Sequence, residues 1–153
     1  MLKNGACPQI NNLDYAPGMG SELFEAIKAG RVDDAIRLVK ENPALFTARD
    51  ANGASPILVA VYYQKLDVAN ALADAAGTLD IFEAAALGRG DRVKLLLREH
   101  PSLAAAYAPD GFPVVGLAAF FGHLDAVKTL IAAGADIHAA AKNAFKVQAI
   151  HAA

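Results

Sequence analysis

The chain has 153 residues, a formal net charge of −2 at neutral pH and a hydrophobic fraction of 55%. This length predicts one domain, and the small net charge gives no electrostatic reason to bind nucleic acid. No apolar run reaches the roughly 18 residues that a membrane-spanning helix needs, and the N-terminus lacks an apolar signal segment. The single cysteine, Cys7, excludes an internal disulfide framework and a cysteine-based zinc site, so we expect a cytoplasmic protein.

Residues 1–20 are predicted to form a flexible N-terminal arm. Asparagine, proline and glycine residues interrupt every hydrophobic periodicity in this stretch. The organised chain is expected to begin at Ser21, whose hydroxyl is suited to cap the first helix.

From Ser21 onward the sequence repeats itself with an offset of 58 residues. The segment 23–26 (LFEA) returns as 81–84 (IFEA), and the aromatic pair 62–63 returns as 120–121. Four aspartates mark the same place in four smaller repeats: Asp33, Asp67, Asp91 and Asp125. Such a period predicts stacked helical repeats that bury their apolar faces against their neighbours.

The last full repeat shows the pattern most clearly. It predicts a turn at 110–112, a short helix up to Phe121, a glycine turn at Gly122 and a second helix that ends at Gly134. The second helix has one apolar face, formed by Val127, Leu130 and Ile131. A helix–turn–helix repeat of about 33 residues joined by β-turns resembles the ankyrin repeat.

This resemblance covers residues 21–153. It implies a single all-α domain, a solenoid of paired antiparallel helices with short β-hairpin or loop fingers. The implied repeats are about 21–49, 50–79, 80–108 and 109–143, with an incomplete fifth at 144–153.

The repeats begin with different capping residues. Ser55 and Pro56 stand where the family usually has Thr-Pro, so we expect the Ser55 hydroxyl to cap a helix that begins with proline. The third repeat begins with Asp80 and Glu83, which predicts a capping box. The fourth repeat has Pro113 there and lacks a hydroxyl cap, so a less tightly started helix is expected.

The resemblance also implies a projecting finger in each link between repeats. The links 43–54 and 101–112 are long enough for one, and so is the last link, 137–146. The link 77–79 has only three residues, too few for two strands and a turn. We therefore predict that the finger between the second and third repeats is missing.

The sequence carries no pattern typical of catalysis. The glycines at 88–90 lack the further glycines of a dinucleotide-binding loop. The four histidines lie in different repeats and do not have the spacing of metal ligands: His100, His123, His138 and His151. We expect no catalytic residue, cofactor or metal, and a small enzyme remains a remote alternative that would need polar groups converging in a pocket.

The predicted function is non-enzymatic binding of another protein. In the family, the slots of Tyr62, Tyr63, Leu87, Phe120 and Phe121 face a concave groove that is commonly used for partner contacts. Three further candidates lie in the finger between the third and fourth repeats: Tyr107, Asp110 and Phe112. The groove is the favoured location for Tyr63 and Phe121, whereas packing against a neighbouring repeat is equally open for Tyr62 and Phe120. Aromatic residues are enriched at interface hot spots, which supports a groove strip.

Self-association is the alternative function. A terminal repeat normally has a polar outer face, but the incomplete fifth repeat is rich in alanine. The apolar flank at Val127, Leu130 and Ile131 is then left partly uncovered, which favours a homodimer through residues 124–153. The other interpretation is that the chain is a fragment whose further residues complete the cap.

Overall fold

A computed structural model describes residues 18–142 of the chain. This range contains eight α-helices and two short 3-10 helices. The α-helices are α1 (Met19–Ala29), α2 (Val32–Glu41), α3 (Pro56–Tyr62), α4 (Leu66–Ala76), α5 (Ile81–Leu87), α6 (Gly90–Glu99), α7 (Val114–Phe120) and α8 (Leu124–Ala132). The 3-10 helices are Pro43–Thr47 and Pro101–Ala105. The predicted fifth repeat at 144–153 and all but the end of the predicted arm at 1–20 lie outside the described residues.

The chain divides into two compact units, Met1–Gly77 and Thr78–Ala153. In the first unit α1 packs against α2 and α3 against α4, while α1 also packs on α3 and α2 on α4. The second unit repeats this scheme with α5 to α8. Each unit therefore stacks two helical pairs, first helix on first and second on second, which confirms the predicted all-α repeat fold. The prediction of one domain over 21–153 stays a prediction.

The core of each unit is formed by aliphatic side chains from both helices of each pair. Leu23, Leu58 and Leu72 are fully buried in the first unit, and Leu117 and Leu130 are fully buried in the second. None of the helices between residues 18 and 142 is long and apolar enough to cross a membrane.

The four marker aspartates occupy one structural position. Each is the second residue of the second helix of its pair, in α2, α4, α6 and α8. Carboxylates are stabilised in the first turn of a helix by the unpaired backbone N–H groups. The predicted equivalence of these four aspartates is therefore confirmed.

The turns inside the helical pairs are also alike. Two residues before each second helix the backbone is left-handed, with φ of 76° at Gly30, 72° at Gly88 and 76° at Gly122. The next residue donates its N–H back to an alanine of the first helix, as Arg31 does to the Ala26 carbonyl at 2.9 Å. This is the hydrogen-bond pattern of a glycine-terminated helix. In the second repeat the left-handed residue is Gln64, with φ of 57°.

The predicted caps of the second and third repeats are confirmed, and the start of the fourth repeat, which was predicted to lack a hydroxyl cap, is satisfied in another way. The Ser55 hydroxyl accepts from the Leu58 N–H at 3.2 Å, and Asp80 and Glu83 form the reciprocal capping box. Pro113 offers no side-chain cap. The free N–H of Val114 donates instead to the carbonyl of Ala106 at 3.1 Å, so the preceding link provides the acceptor.

The first helix begins earlier than predicted. It starts at Met19, and the Gly18 carbonyl accepts from the Glu22 N–H at 2.9 Å. Ser21 lies within the first turn, so its predicted role as N-cap was wrong. Gly18 makes the sharp entry possible because its φ of 91° is readily adopted only by glycine.

The links between helical pairs contain more helix than predicted. The first part of each long link is a 3-10 helix that begins at Pro43 or Pro101. The second long link closes with an isolated antiparallel bridge between Tyr107 and Pro113. Between α4 and α5 the chain has only residues 77–80, and the absence of a finger there stays a prediction.

Candidate functional site

The turn aromatics of the first unit lie at the end of α3. Tyr62 is the last residue of this helix and is half-buried, whereas Tyr63, in the turn, is 50% exposed. The Lys28 ammonium lies 5.3 Å from the centroid of the Tyr63 ring, so α1 supplies a cation to this ring. This end of the unit presents an aromatic face beside a positive charge.

In the second unit the two equivalent rings contact each other. The centroids of Phe120 and Phe121 are 4.9 Å apart and the ring planes meet at 84°, an edge-to-face arrangement. Phe120 is 60% exposed, whereas Phe121 is half-buried. The more exposed ring is therefore the first of the pair here and the second of the pair in the first unit.

Leu87 lies at the same end of the second unit as these rings. It is the half-buried last residue of α5, as Phe120 is the last residue of α7. A ring nitrogen of His123, Nε2, is 2.9 Å from the carbonyl oxygen of Ala86, which holds the two helix ends together. His123 therefore has a structural role in the glycine–histidine turn.

The three link residues form a compact turn before α7. The N–H of Ala108 donates to the carbonyl of Phe112 at 2.8 Å, and the Asp110 carboxylate accepts from the Phe112 N–H at 3.4 Å. The Lys142 ammonium lies 3.9 Å from the centroid of the Tyr107 ring. Tyr107, Asp110 and Phe112 are all half-buried. The tip is thus held by its own hydrogen bonds and by the segment that follows α8.

The structure separates the predicted site residues of the second unit into two groups. Leu87 and the two phenylalanines lie at the C-terminal ends of α5 and α7, and the link residues precede the N-terminus of α7. Because α7 has seven residues at about 1.5 Å of rise each, the two groups lie about 10 Å apart along it. Tyr62 and Tyr63 form a third group, in the first unit.

Two exposed leucines adjoin the turn aromatics and were missed by the sequence analysis. Leu66 begins α4 and Leu124 begins α8, and both are more than half exposed. Each stands directly before a marker aspartate, and the two positions are 58 residues apart. An apolar residue at the exposed first position of two equivalent helices was the signal available in the sequence.

The polar groups of the described residues do not converge on a reaction centre. Ser55 is the buried polar side chain of this part of the chain, and its hydroxyl caps α3. Between residues 18 and 142 there is no group of three or more histidine, cysteine, aspartate or glutamate residues that could hold a metal ion. The surface instead offers aromatic rings, aliphatic side chains and lysines, which suit noncovalent contacts with a macromolecule.

Comparison with known proteins decides the family. Residues 112–142 match the family model described as the ankyrin repeat. The chain is an ankyrin-repeat protein. It is also 32% identical over 117 residues to alpha-latrocrustotoxin-Lt1a of Latrodectus tredecimguttatus. That alignment covers 71% of this chain and 8% of the toxin, so the ankyrin-repeat protein spans a small part of the length of this relative.

The family gives the broad class of function. Ankyrin repeats generally mediate protein–protein interactions, and the family is typically non-enzymatic. The matched segment contains the end of the second long link together with α7 and α8. It therefore includes three predicted site residues, Phe112, Phe120 and Phe121.

Proposed function

We propose that this ankyrin-repeat protein is a non-enzymatic interaction module that binds a partner protein through the groove side and the links of its repeats. The observation that carries the proposal is the exposure of large aromatic rings at equivalent turns of both units, Tyr63 in the first and Phe120 in the second. Aromatic residues are enriched at protein–protein interfaces, and tyrosine is enriched at their hot spots. The absence of a converging polar cluster among the described residues favours binding over catalysis.

The turn rings alone cannot account for stable binding. A fully buried aromatic side chain removes about 150–250 Å² from water, so covering the exposed half of each ring removes roughly 100 Å². At about 25 cal/mol per Å², Tyr63 and Phe120 together contribute about 5 kcal/mol. Association costs about 4–15 kcal/mol, so a partner must also use neighbouring side chains such as Leu66, Leu124 and the link residues.

The test replaces the exposed rings and captures partners from an extract of the native host. We expect the Tyr63→Ser/Phe120→Ser variant to retain at least tenfold less of a specific partner, because hot-spot truncations typically exceed 1 kcal/mol each. Leu95→Ser is the matched control, since Leu95 is an exposed leucine on α6 away from the turns. Equal capture by the variant and the wild type, with unchanged helical circular dichroism, would refute the proposal.

Self-association is a second candidate because an apolar helix face that is buried in α6 is partly exposed in the equivalent helix, α8. In α6, Val93 and Leu97 are buried, and α6 packs on α8. The equivalent residues of α8 are Val127, which is half-buried, and Ile131, which is 43% exposed. We propose that this end face of α8 pairs with a second copy of the chain. Residues 143–153, which belong to the predicted dimer interface, lie outside the described residues.

Light scattering over a concentration series tests the second candidate. A homodimer through α8 predicts a mass that doubles with rising concentration, and Ile131→Asp should keep the chain monomeric by placing a charge on the pairing face. A wild-type chain that stays monomeric at the highest concentration contradicts self-association and leaves the partner-binding proposal untouched.

A further inference from the structure

We infer that the turn surface of the first unit recognises an acidic segment of the partner, in which a glutamate or aspartate lies next to an apolar side chain. This inference rests on the proposed function and specifies the chemistry of the partner. The basic turn surface consists of Lys28, Tyr63, Lys65 and Leu66.

The basic turn surface places two cations beside two exposed apolar groups. The Lys28 ammonium lies 5.3 Å from the Tyr63 ring centroid. The Lys65 side chain lies along Gly30, where an added Cβ would be 3.4 Å from Cδ and 3.9 Å from Nζ of the lysine. Both lysines therefore lie at the α1–α2 turn. Tyr63 and Leu66 are 50% and 54% exposed, so an apolar side chain of the partner has surface to cover there.

The charge of the two lysines is available to a ligand. Arg31, in the same turn, pairs with Asp34 at 3.1 Å. Among residues 18–142 neither Lys28 nor Lys65 forms an ion pair. Asp33 and Asp67 are the second residues of α2 and α4. They lie in the first turns of these helices, where the helix ends stabilise their charge.

The second unit shows that the turn also forms with other residues at the positions of these lysines. Its equivalent turn has the same backbone hydrogen bond, from the Arg89 N–H to the Ala84 carbonyl at 2.8 Å. The positions of Lys28 and Lys65 are taken there by Ala86 and His123. A cation near the C-terminal end of a helix is stabilising. The second unit nevertheless forms the same turn with Ala86 at the position of Lys28. Lys28 is therefore additional to what the fold requires, whereas Lys65 packs on the turn glycine as His123 does in the second unit, where histidine replaces lysine.

The surroundings of the lysines favour a protein ligand over nucleic acid. The net charge of the chain is −2, and the basic turn surface has two cations interleaved with an aromatic and an aliphatic side chain. Phosphate-backbone binding depends on many cations along a groove. The equivalent positions of the second unit carry Ala86, Phe121, His123 and Leu124 and have no lysine, so the acidic specificity belongs to the first unit.

The experiment measures binding of a short labelled peptide by fluorescence anisotropy. The probe has glutamates that flank one phenylalanine and one leucine in a glycine–serine background, and its control peptide has lysine in place of each glutamate. We expect the acidic peptide to bind about tenfold or more tighter than its control, and this preference to fall between about 50 mM and about 300 mM salt.

Two matched variants localise the effect. Lys28→Ala/Lys65→His introduces the residues that the second unit carries, so the turn should fold, and we expect about tenfold weaker binding of the acidic peptide. Lys40→Ala/Lys94→Ala removes two exposed lysines elsewhere and should change binding less than twofold. An equal loss with both variants, equal binding of both peptides, or equal binding of a short oligothymidylate overturns the inference.

Capture from the native extract separates this inference from the proposed function. If the partner is lost with Tyr63→Ser/Phe120→Ser but retained by Lys28→Ala/Lys65→His, the module binds a partner and the acidic specificity is wrong. If the serine variant retains the partner, the proposed function itself fails.

Discussion

The left-handed residue before each second helix is the most constrained single position in the repeats. Three of the four positions carry glycine, and the fourth carries Gln64 with φ of 57°. All four turns form the same hydrogen bond, which in the second repeat runs from the Lys65 N–H to the Ala60 carbonyl at 2.8 Å. A side chain in this conformation brings its Cβ close to the following carbonyl, so Gln64 is strained where glycine is not.

Replacing Gln64 by glycine should stabilise the protein. We expect Gln64→Gly to raise the free energy of unfolding by about 1 kcal/mol, because the left-handed strain disappears while the side chain is solvent-exposed. Urea denaturation followed by circular dichroism measures the change. The reciprocal substitution in the equivalent turn, Gly122→Gln, should lower stability by a similar amount, and an unchanged midpoint for Gln64→Gly would contradict the strain argument.

Two equivalent glycines should tolerate alanine differently. An added Cβ at Gly88 would lie 2.5 Å from Nδ1 of His123, whereas at Gly30 the nearest atom is Cδ of Lys65 at 3.4 Å. Both substitutions strain the backbone, but Gly88→Ala also displaces the ring that bonds Ala86. We expect a loss of about 2–3 kcal/mol for Gly88→Ala and about 1 kcal/mol for Gly30→Ala.

A double-mutant cycle separates the two contributions. In a His123→Ala background the ring no longer opposes the new Cβ, so the penalty of Gly88→Ala should fall to that of Gly30→Ala. Chemical denaturation of the four proteins gives the coupling energy. A full 2–3 kcal/mol penalty without the histidine would place the strain in the backbone alone.

Three helices satisfy the backbone N–H groups at their N-termini in three different ways. Ser55 uses its hydroxyl, Asp80 and Glu83 use a reciprocal pair, and Pro113 leaves the task to the Ala106 carbonyl. The third solution works because Val114 carries an N–H, whereas its equivalent in the first unit is Pro56, which has none. A helix start therefore depends on the cap residue and on the residue that follows it.

Removing the Ser55 hydroxyl should destabilise the first unit. The side chain is 3% exposed, so Ser55→Ala leaves the Leu58 N–H without its acceptor and away from water. We expect a loss of about 1–2 kcal/mol, measured by thermal or urea unfolding. Ser55→Thr keeps an acceptor at this position and is the control. A loss below about 0.5 kcal/mol for the alanine variant would show that the cap contributes little.

The elements that could be predicted from the sequence are those set by local interactions. The glycine turns, the caps at Ser55 and Asp80, and the phase of the marker aspartates depend on residues within one helical turn. The helical form of the links was missed, although Pro43 and Pro101 are suited to a first helical position. A helix of five residues is too short to show a periodic hydrophobic pattern in the sequence.

The candidate site could be predicted in position but not in exposure. The aromatic slots follow from the repeat, whereas the exposure of Phe120 over Phe121 depends on how the two rings pack against each other. The contacts of Lys65 with Gly30 and of His123 with Gly88 join residues 35 positions apart. Such contacts between repeats depend on packing that no local sequence pattern specifies.

At the scale of the whole molecule, the two units are copies of one double repeat. The bounds of α2, the first 3-10 helix and α3 return, shifted by 58 residues, in α6, the second 3-10 helix and α7. Positions that carry the same contact in both units maintain the fold. Positions that differ without changing the turn, such as Lys28 and Ala86, are where we propose that the two copies differ in binding chemistry.

A charge in the core of the second unit should unfold that unit as a whole. Leu130 is fully buried in α8, which packs on both α6 and α7. Leu130→Asp buries an unpaired carboxylate or leaves α8 undocked, and we expect a loss of more than about 4 kcal/mol. Amide hydrogen exchange should show lost protection in α5 to α8 and retained protection in α1 to α4, because repeats are stabilised mainly by their nearest neighbours.

Ile131→Asp is the matched control for this experiment and distinguishes two states of the end face. The Ile131 side chain is 43% exposed. In a monomer, an aspartate at this position should therefore change the free energy of unfolding by no more than about 1 kcal/mol. If the α8 face pairs with a second copy, the stability of the wild type should rise with protein concentration while that of Ile131→Asp does not. A large loss for Ile131→Asp at every concentration would mean that this face is covered within the chain itself, and the homodimer proposal would then fail.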